Sequence, residues 1–220
     1  MTMNQLQYNR KILNPEDYWG PLAYIEKYDL KINGILHVGA HFGGEVGHYM
    51  KHDLKNIVFF EPLTDCYLKL QENISGLNAN IISHKVALGN KNGKITINVS
   101  TNNKASSSIL KPKLHLDLHP HVEFYEQEEV EMKKLDDYSY NNYNMLVVDV
   151  QGYELEVLKG SSLTLDHIDY IFTEVNQDEV YENNANINDL DSFLSCWNFK
   201  RVETTWEGGI WGDALYIKNY

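Results

Sequence analysis

The stretch Ile35-Leu36-His37-Val38-Gly39-Ala40-His41-Phe42-Gly43-Gly44-Glu45 constrains this chain more than any other. Four residues suited to a buried strand run straight into glycines, and residues 45–52 read as a helix, so the segment is a strand-to-helix turn. A helix N-terminus leaves its first N–H donors without intrahelical partners and carries a partial positive charge, which suits anionic or carboxylate-bearing ligands. The turn's N–H groups are therefore expected to face outward, unpaired, with a ligand upon them. The next strand, Asn56-Ile57-Val58-Phe59-Phe60, ends in Glu61-Pro62. Glu61 falls about 20 residues after the glycine turn, where an acid can bind both ribose hydroxyls of a nucleoside.

Position 41 decides between cofactors. A dinucleotide fingerprint needs glycine there so that the backbone can approach a pyrophosphate, and this chain has His41. A nucleoside without phosphates has no such requirement, so S-adenosylmethionine is favoured over NAD.

The rest of the chain alternates strands and helices. Asn14-Pro15-Glu16-Asp17 reads as the start of a helix running to Tyr28, with Tyr18, Leu22, Ile25 and Tyr28 on one face, packed at or near the cofactor site. Residues 65–74 read as a helix, Ile81 to Leu88 as the third strand, and Lys94 to Ser100 as a half-buried hairpin partner. From Thr101 to Tyr125 the pattern dissolves into a long loop of the kind that carries function, and Glu128 to Leu135 returns as a strand. Met145-Leu146-Val147-Val148 and Tyr170-Ile171-Phe172-Thr173 read as central parallel strands that deliver Asp149 and Glu174 to one sheet edge. Helices are expected from Tyr153 to Lys159 and from Ile187 to Trp197. Two closing strands follow, joined by a loop longer than a tight hairpin. The expected fold is α/β and Rossmann-like: a seven-stranded, mostly parallel sheet with an antiparallel C-terminal strand and helices on both faces, as in methyltransferases.

Composition excludes several function classes. A net charge of −12, from 19 basic against 31 acidic residues, makes nucleic acid a poor partner. No apolar run approaches the roughly 18 residues of a membrane span, and no basic, apolar leader opens the chain, so a cytoplasmic site is the default. Cys66 and Cys196 lack metal-site spacing and read as free thiols.

An ordered set of motifs resembles the FkbM-type S-adenosylmethionine-dependent methyltransferases. The set comprises Ile35 to His41 with Gly43, Phe60-Glu61-Pro62, Val86-Ala87-Leu88-Gly89 with Gly93, Leu135-Asp136-Asp137-Tyr138, Asp149-Val150-Gln151-Gly152-Tyr153-Glu154 with Leu158-Lys159-Gly160, and Glu174-Val175. The resemblance implies residues 1–33 as a helical cover and 34–220 as the catalytic domain. It also implies methyl transfer to a hydroxyl of a sugar, glycan or other small molecule. The loop through Gly39, Ala40, His41 and Gly43 would meet the methionine part, with His37 at its edge. Glu61, beside Pro62, would hold the ribose, Val86-Ala87 would border the adenine, Ser107 would lie over the cofactor, and Asp149 would stand beside the transferred methyl. Two departures stand out: relatives often carry Asp at the place of His37 and Glu at the place of Gln151.

A hydroxyl nucleophile must lose its proton as it attacks, and Asp149, Glu174 or His41 are the candidate bases. Glu154 reads as an acid in a helix's first turn. His115, His119 and His121, with Asp117 and Glu123, match metal ligands by type but not by spacing, so they read as a polar loop and the transfer as metal-independent. The rival readings are an NAD-linked oxidoreductase or epimerase, and a fold relative that has lost catalysis and serves as a binding module. Neither the acceptor nor the oligomeric state is legible in the chain.

Overall fold

A computed structural model describes residues 21–207 and 209–220. Its main sheet contains β1 (Ile35–Val38), β2 (Asn56–Phe60), β3 (Asn80–His84), β7 (Met145–Val148), β8 (Tyr170–Asn176), β9 (Phe199–Glu207) and β10 (Trp211–Lys218). They lie in the order β3-β2-β1-β7-β8-β10-β9. Pairing is parallel from β3 to β8, and β10 runs antiparallel to both β8 and β9. The fold class expected from the sequence is met; the reversed strand sits one place in from the edge, with β9 outermost.

Side-chain alternation divides the core. Leu36 and Val38 pack on one face with Leu146, Val148 and Val175, whereas Ile35 packs on the other with Ile57, Phe59, Val147 and Phe172. Strands covered on both faces need apolar residues at every position, which is why these segments read as continuous apolar runs. From β1 the chain builds β2 and β3 to one side, then returns as β7 on the other. Such a switch point opens a crevice at the strands' carboxyl ends.

The expected third strand divides. β3 ends at His84, and β4 (Ala87–Leu88) joins a second sheet of order β4-β6-β5 with β5 (Gly93–Val99) and β6 (Glu126–Lys133). β2 stops at Phe60 and Pro62 has no N–H, so the ladder cannot extend past His84, and Lys85 turns outward. The hairpin partner of β5 is accordingly β6, with Val130 and Met132 buried against Ile97 and Val99.

Residues 101–125 carry one short helix, α4 (Leu114–Leu118). The Thr101 and His115 N–H groups donate to the carbonyls of Glu123 and Val180, which draws this insertion over the exit of β8. The remaining helices are α1 (Ile25–Tyr28), α2 (Val46–Lys51), α3 (Thr64–Ile74), α5 (Glu154–Lys159), α6 (Ser162–Leu165) and α7 (Ile187–Ser195).

A 3-10 turn over Pro21–Tyr24 leads into α1. Tyr24 packs on Phe172 and bonds Thr205, and the Tyr28 hydroxyl donates to the Val202 carbonyl, so this cover lies over β8 and β9 rather than at the cofactor edge. The predicted helix start at Asn14-Pro15 lies outside the described residues. The closing strands also pair further than expected: Glu207 faces Trp211, leaving three residues between them. Among the described residues no helix is long and apolar enough to cross a membrane.

Candidate active site

The crevice is shaped by one glycine. Gly39 adopts φ 83°, and a Cβ there would stand 1.7 Å from the Asp149 carbonyl oxygen. The turn after β1 thus lies flush against the end of β7, where the Asp149 N–H donates to the Val38 carbonyl at 3.0 Å.

The turn's donors do not face outward as expected. Gly39 and Ala40 N–H both donate to the Phe60 carbonyl (3.0 and 3.1 Å), Gly43 N–H donates to Ala40, and His41 N–H donates to Glu61 Oε2 at 2.8 Å. Helix α2 begins only at Val46, so the residues before it fold back onto the end of β2 instead of fanning toward a ligand. Glu61 Oε1 accepts from Leu63 N–H at 2.8 Å, and burial pushes its carboxyl up to about 8. Each carboxylate oxygen retains a lone pair for a further donor such as a ribose hydroxyl.

Gly39, His41, Glu61, Pro62, Val86, Ala87, Ser107 and Asp149 line one cavity of ≈ 600 Å³, mouth included. Apolar walls with two acids, the buried Glu61 and the exposed Asp149, fit a nucleoside of the size that such cavities take. Three expected members lie elsewhere. Alternation along β1 turns His37 to the opposite face, where its Nδ1 meets the Tyr49 hydroxyl at 3.0 Å and burial pushes its pKa down to about 3, leaving it neutral. Ala40 is buried on that same face, and Gly43 (φ 71°) packs under Leu70, whose Cδ1 would lie 2.5 Å from a Cβ. His41, with φ 49°, stacks on Phe42 and donates from Nε2 to the Asn103 carbonyl at 2.7 Å, tying the insertion to the turn. An ion pair from Lys104 to Asp65 adds a second tie.

A second cavity, ≈ 1300 Å³ with its mouth, shares Asp149, Gln151 and Ala105 with the first. The insertion contributes His115, His119 and His121, and the far strands contribute Glu174, Trp211 and Asp213. His115 is buried with Nδ1 unpartnered, and burial, aided by His119 and His121, holds its pKa near 4. Asp117 and Glu123 stay on the exposed surface.

Among the described residues the ligand-type side chains that converge are three carboxylates. Atoms of Asp149, Glu154 and Glu174 lie within 4.8 Å of one another. Glu154 accepts from Val150 and Gly152 N–H (3.1 and 3.0 Å), so it pins the turn after β7; burial raises it to about 7. Burial, then Asp149, Glu154 and Asp213, hold Glu174 well above the usual carboxylate range. Glu45 is raised to about 7 by burial, with Asp149 adding to it.

The methyltransferase FkbM domain matches residues 37–201. The chain belongs to the FkbM methyltransferase family. It is an S-adenosylmethionine-dependent methyltransferase, which sets aside the NAD-linked alternative. This FkbM methyltransferase is 29% identical over 196 residues to 2-O-methyltransferase NoeI of Sinorhizobium fredii (strain NBRC 101917 / NGR234), covering 82% of this chain and 77% of NoeI. The fold resembles the crystal structure of methyltransferase FkbM from Methylobacillus flagellatus KT (TM-score 0.61, 14% identity, 99% of this chain), of which it spans about half the length, 55%. It also resembles N-methyltransferase NodS from Bradyrhizobium japonicum WM9 in complex with S-adenosyl-l-homocysteine (TM-score 0.53, 9% identity, all of both chains).

Sequence reasoning missed Tyr181, Asn103 and Lys104 in this family member's site. They come from segments without strand or motif signals. Only the folded insertion brings Lys104 to the first cavity and the Asn103 carbonyl to His41, and Tyr181 reaches the site through Gln151.

Proposed function

We propose that the protein methylates a hydroxyl of a sugar, a glycan residue or a similarly hydroxyl-rich small molecule. The observation that carries this reading is that two cavities of different character meet at Asp149. The first suits the cofactor: Glu61 for the ribose, Val86 and Ala87 beside the base, Gly39 and His41 along the methionine end, Ser107 in the covering loop. When bound, the cofactor supplies an electrophilic sulfonium methyl. The second cavity takes the acceptor, with imidazoles, carboxylates and the half-buried Trp211 able to bond and stack on a hydroxylated ring. The name of NoeI, a 2-O-methyltransferase, supports oxygen as the methylated atom.

Asp149 receives the acceptor's proton. It is exposed at the shared edge, whereas Glu174 is buried, and burial with Asp149 and Glu154 beside it raises its carboxyl and favours the neutral form. His41 suits a tether, its Nε2 proton being committed to Asn103. Holding the acceptor in line with the methyl group supplies much of the acceleration, since alignment alone is worth about 7–11 kcal/mol. The test is incubation with S-adenosylmethionine and a panel of free sugars and glycosides, reading S-adenosylhomocysteine by mass spectrometry. Acceptor-dependent formation is expected. Cofactor binding with no turnover on any hydroxylated acceptor would favour the binding-module reading.

A further inference from the structure

We propose that Gln151 is a positioning residue: its side-chain amide holds Asp149 and Glu174 side by side, and Tyr181 closes the amide's other end. This rests on the reading of Asp149 as the base. Gln151 Nε2 donates to Asp149 Oδ1 at 2.8 Å and to Glu174 Oε2 at 2.6 Å, while Oε1 accepts from the Tyr181 hydroxyl at 2.8 Å. An amide has two N–H donors and one acceptor oxygen, and each carboxylate takes one of the donors. The reversed amide would set its oxygen against the Asp149 carboxylate and forfeit both donations, which favours the orientation seen.

The backbone is shaped to deliver this side chain. Gln151 has φ 56°, a left-handed conformation that costs a non-glycine residue energy and persists only where its surroundings hold it. They do so from three sides. Glu154 accepts the N–H groups on either side of Gln151, Ser108 Oγ donates to the Gln151 carbonyl at 2.6 Å, and Tyr181, fully buried, lies 3.0 Å from the Ser106 carbonyl. Elements on every side turn titratable groups toward the pair: Glu154 from α5, Asp213 from β10, Glu45 ahead of α2, His41 from the turn, and Tyr181. A lysine or arginine at 151 would pair with Asp149 and suppress its basicity, and a glutamate would add another repelling carboxylate. A neutral amide fixes the geometry and leaves the charge of Asp149 in place.

The test is NMR on the full chain, following the Gln151 NH2 and the Glu174 carboxyl carbon from about pH 5 to about pH 10. The amide resonances are expected to move with the Glu174 titration. Gln151→Leu should raise the Glu174 midpoint by about one pH unit or more, because a donor to the charged form is lost. Tyr181→Phe should raise it by less, and this variant with the wild-type amide series decides the matter if Gln151→Leu does not fold. An amide that stays flat while Glu174 titrates, or an unmoved midpoint in Gln151→Leu, overturns the proposal. The base reading is tested apart from it: loss of turnover in Asp149→Asn with no midpoint shift in Gln151→Leu keeps the base and removes the positioning role, and the opposite pair of results does the reverse.

Discussion

The two cavities that meet at Asp149 are built from different materials. The first cavity, proposed for the cofactor, is made of strand ends and backbone: Val38, Phe60 and Ala87 form walls, and its one buried acid, Glu61, is held by two N–H groups. The second cavity, proposed for the acceptor, gathers six titratable side chains, His115, His119 and His121 from the insertion with Asp149, Glu174 and Asp213. A ligand common to a whole family can be recognised by parts that define the fold. An acceptor that varies is better met by groups on a segment free to change without disturbing the sheet.

Substitutions at the shared edge and on either side can break this division. Asp149→Asn is expected to give the largest effect, a fall in turnover of about 10²–10⁴-fold. Its affinity for S-adenosylhomocysteine, measured by calorimetry, should change far less; equal losses would make Asp149 a cofactor-holding residue instead. Gly39→Ala comes next. Left-handed strain alone costs about 1–3 kcal/mol, and the overlap with the Asp149 carbonyl adds to it, so both Tm and cofactor affinity should drop. A variant with native Tm and affinity would show that the two strand ends are free to separate.

Glu61→Ala should weaken S-adenosylhomocysteine binding by about 1–3 kcal/mol, the cost of leaving buried hydrogen-bond partners unsatisfied, with acceptor KM little changed. Trp211→Ala should do the opposite, raising acceptor KM by about tenfold, or roughly 1.4 kcal/mol, at unchanged cofactor affinity. If both variants affected both ligands equally, the two cavities would have to be treated as one site.

The smallest effect concerns pH. Glu61 is held near 8 in the folded protein against 4.5 in the unfolded chain, so between those values the folded state binds more protons and stability falls as pH rises. Glu45 and Glu154, near 7, act in the same sense over a narrower window. Thermal melts should therefore show Tm declining from about pH 5 to about pH 8, and Glu61→Gln should flatten the upper part of that decline. A wild-type Tm that rises through this range would contradict the burial of these acids.

The convergence of residues in the first cavity was largely legible in the sequence because it follows chain order. Apolar runs ending in Gly39, Glu61 and Asp149 are strand ends, and strand ends of a parallel sheet share one edge. What failed there was orientation: a period of two turned His37 to the other face, and the donors of residues 39–43 folded back onto Phe60 and Glu61. The second cavity was less legible. His115, His119 and His121 reach one cavity only because residues 113–115 bond to the chain at Val180, a pairing between segments that carry no periodic pattern. Gln151 stood in plain view in a motif, but its role depends on a left-handed backbone and on Tyr181, and neither can be read from residue types.

The most direct test of the account is a crystal structure with S-adenosylhomocysteine bound. The ribose hydroxyls are expected at Glu61, with the sulfur pointing past Asp149 toward the histidine-lined cavity. Adenosine found in that second cavity, or a sulfur directed away from Asp149, would contradict the division of the site on which the proposed methyl transfer rests.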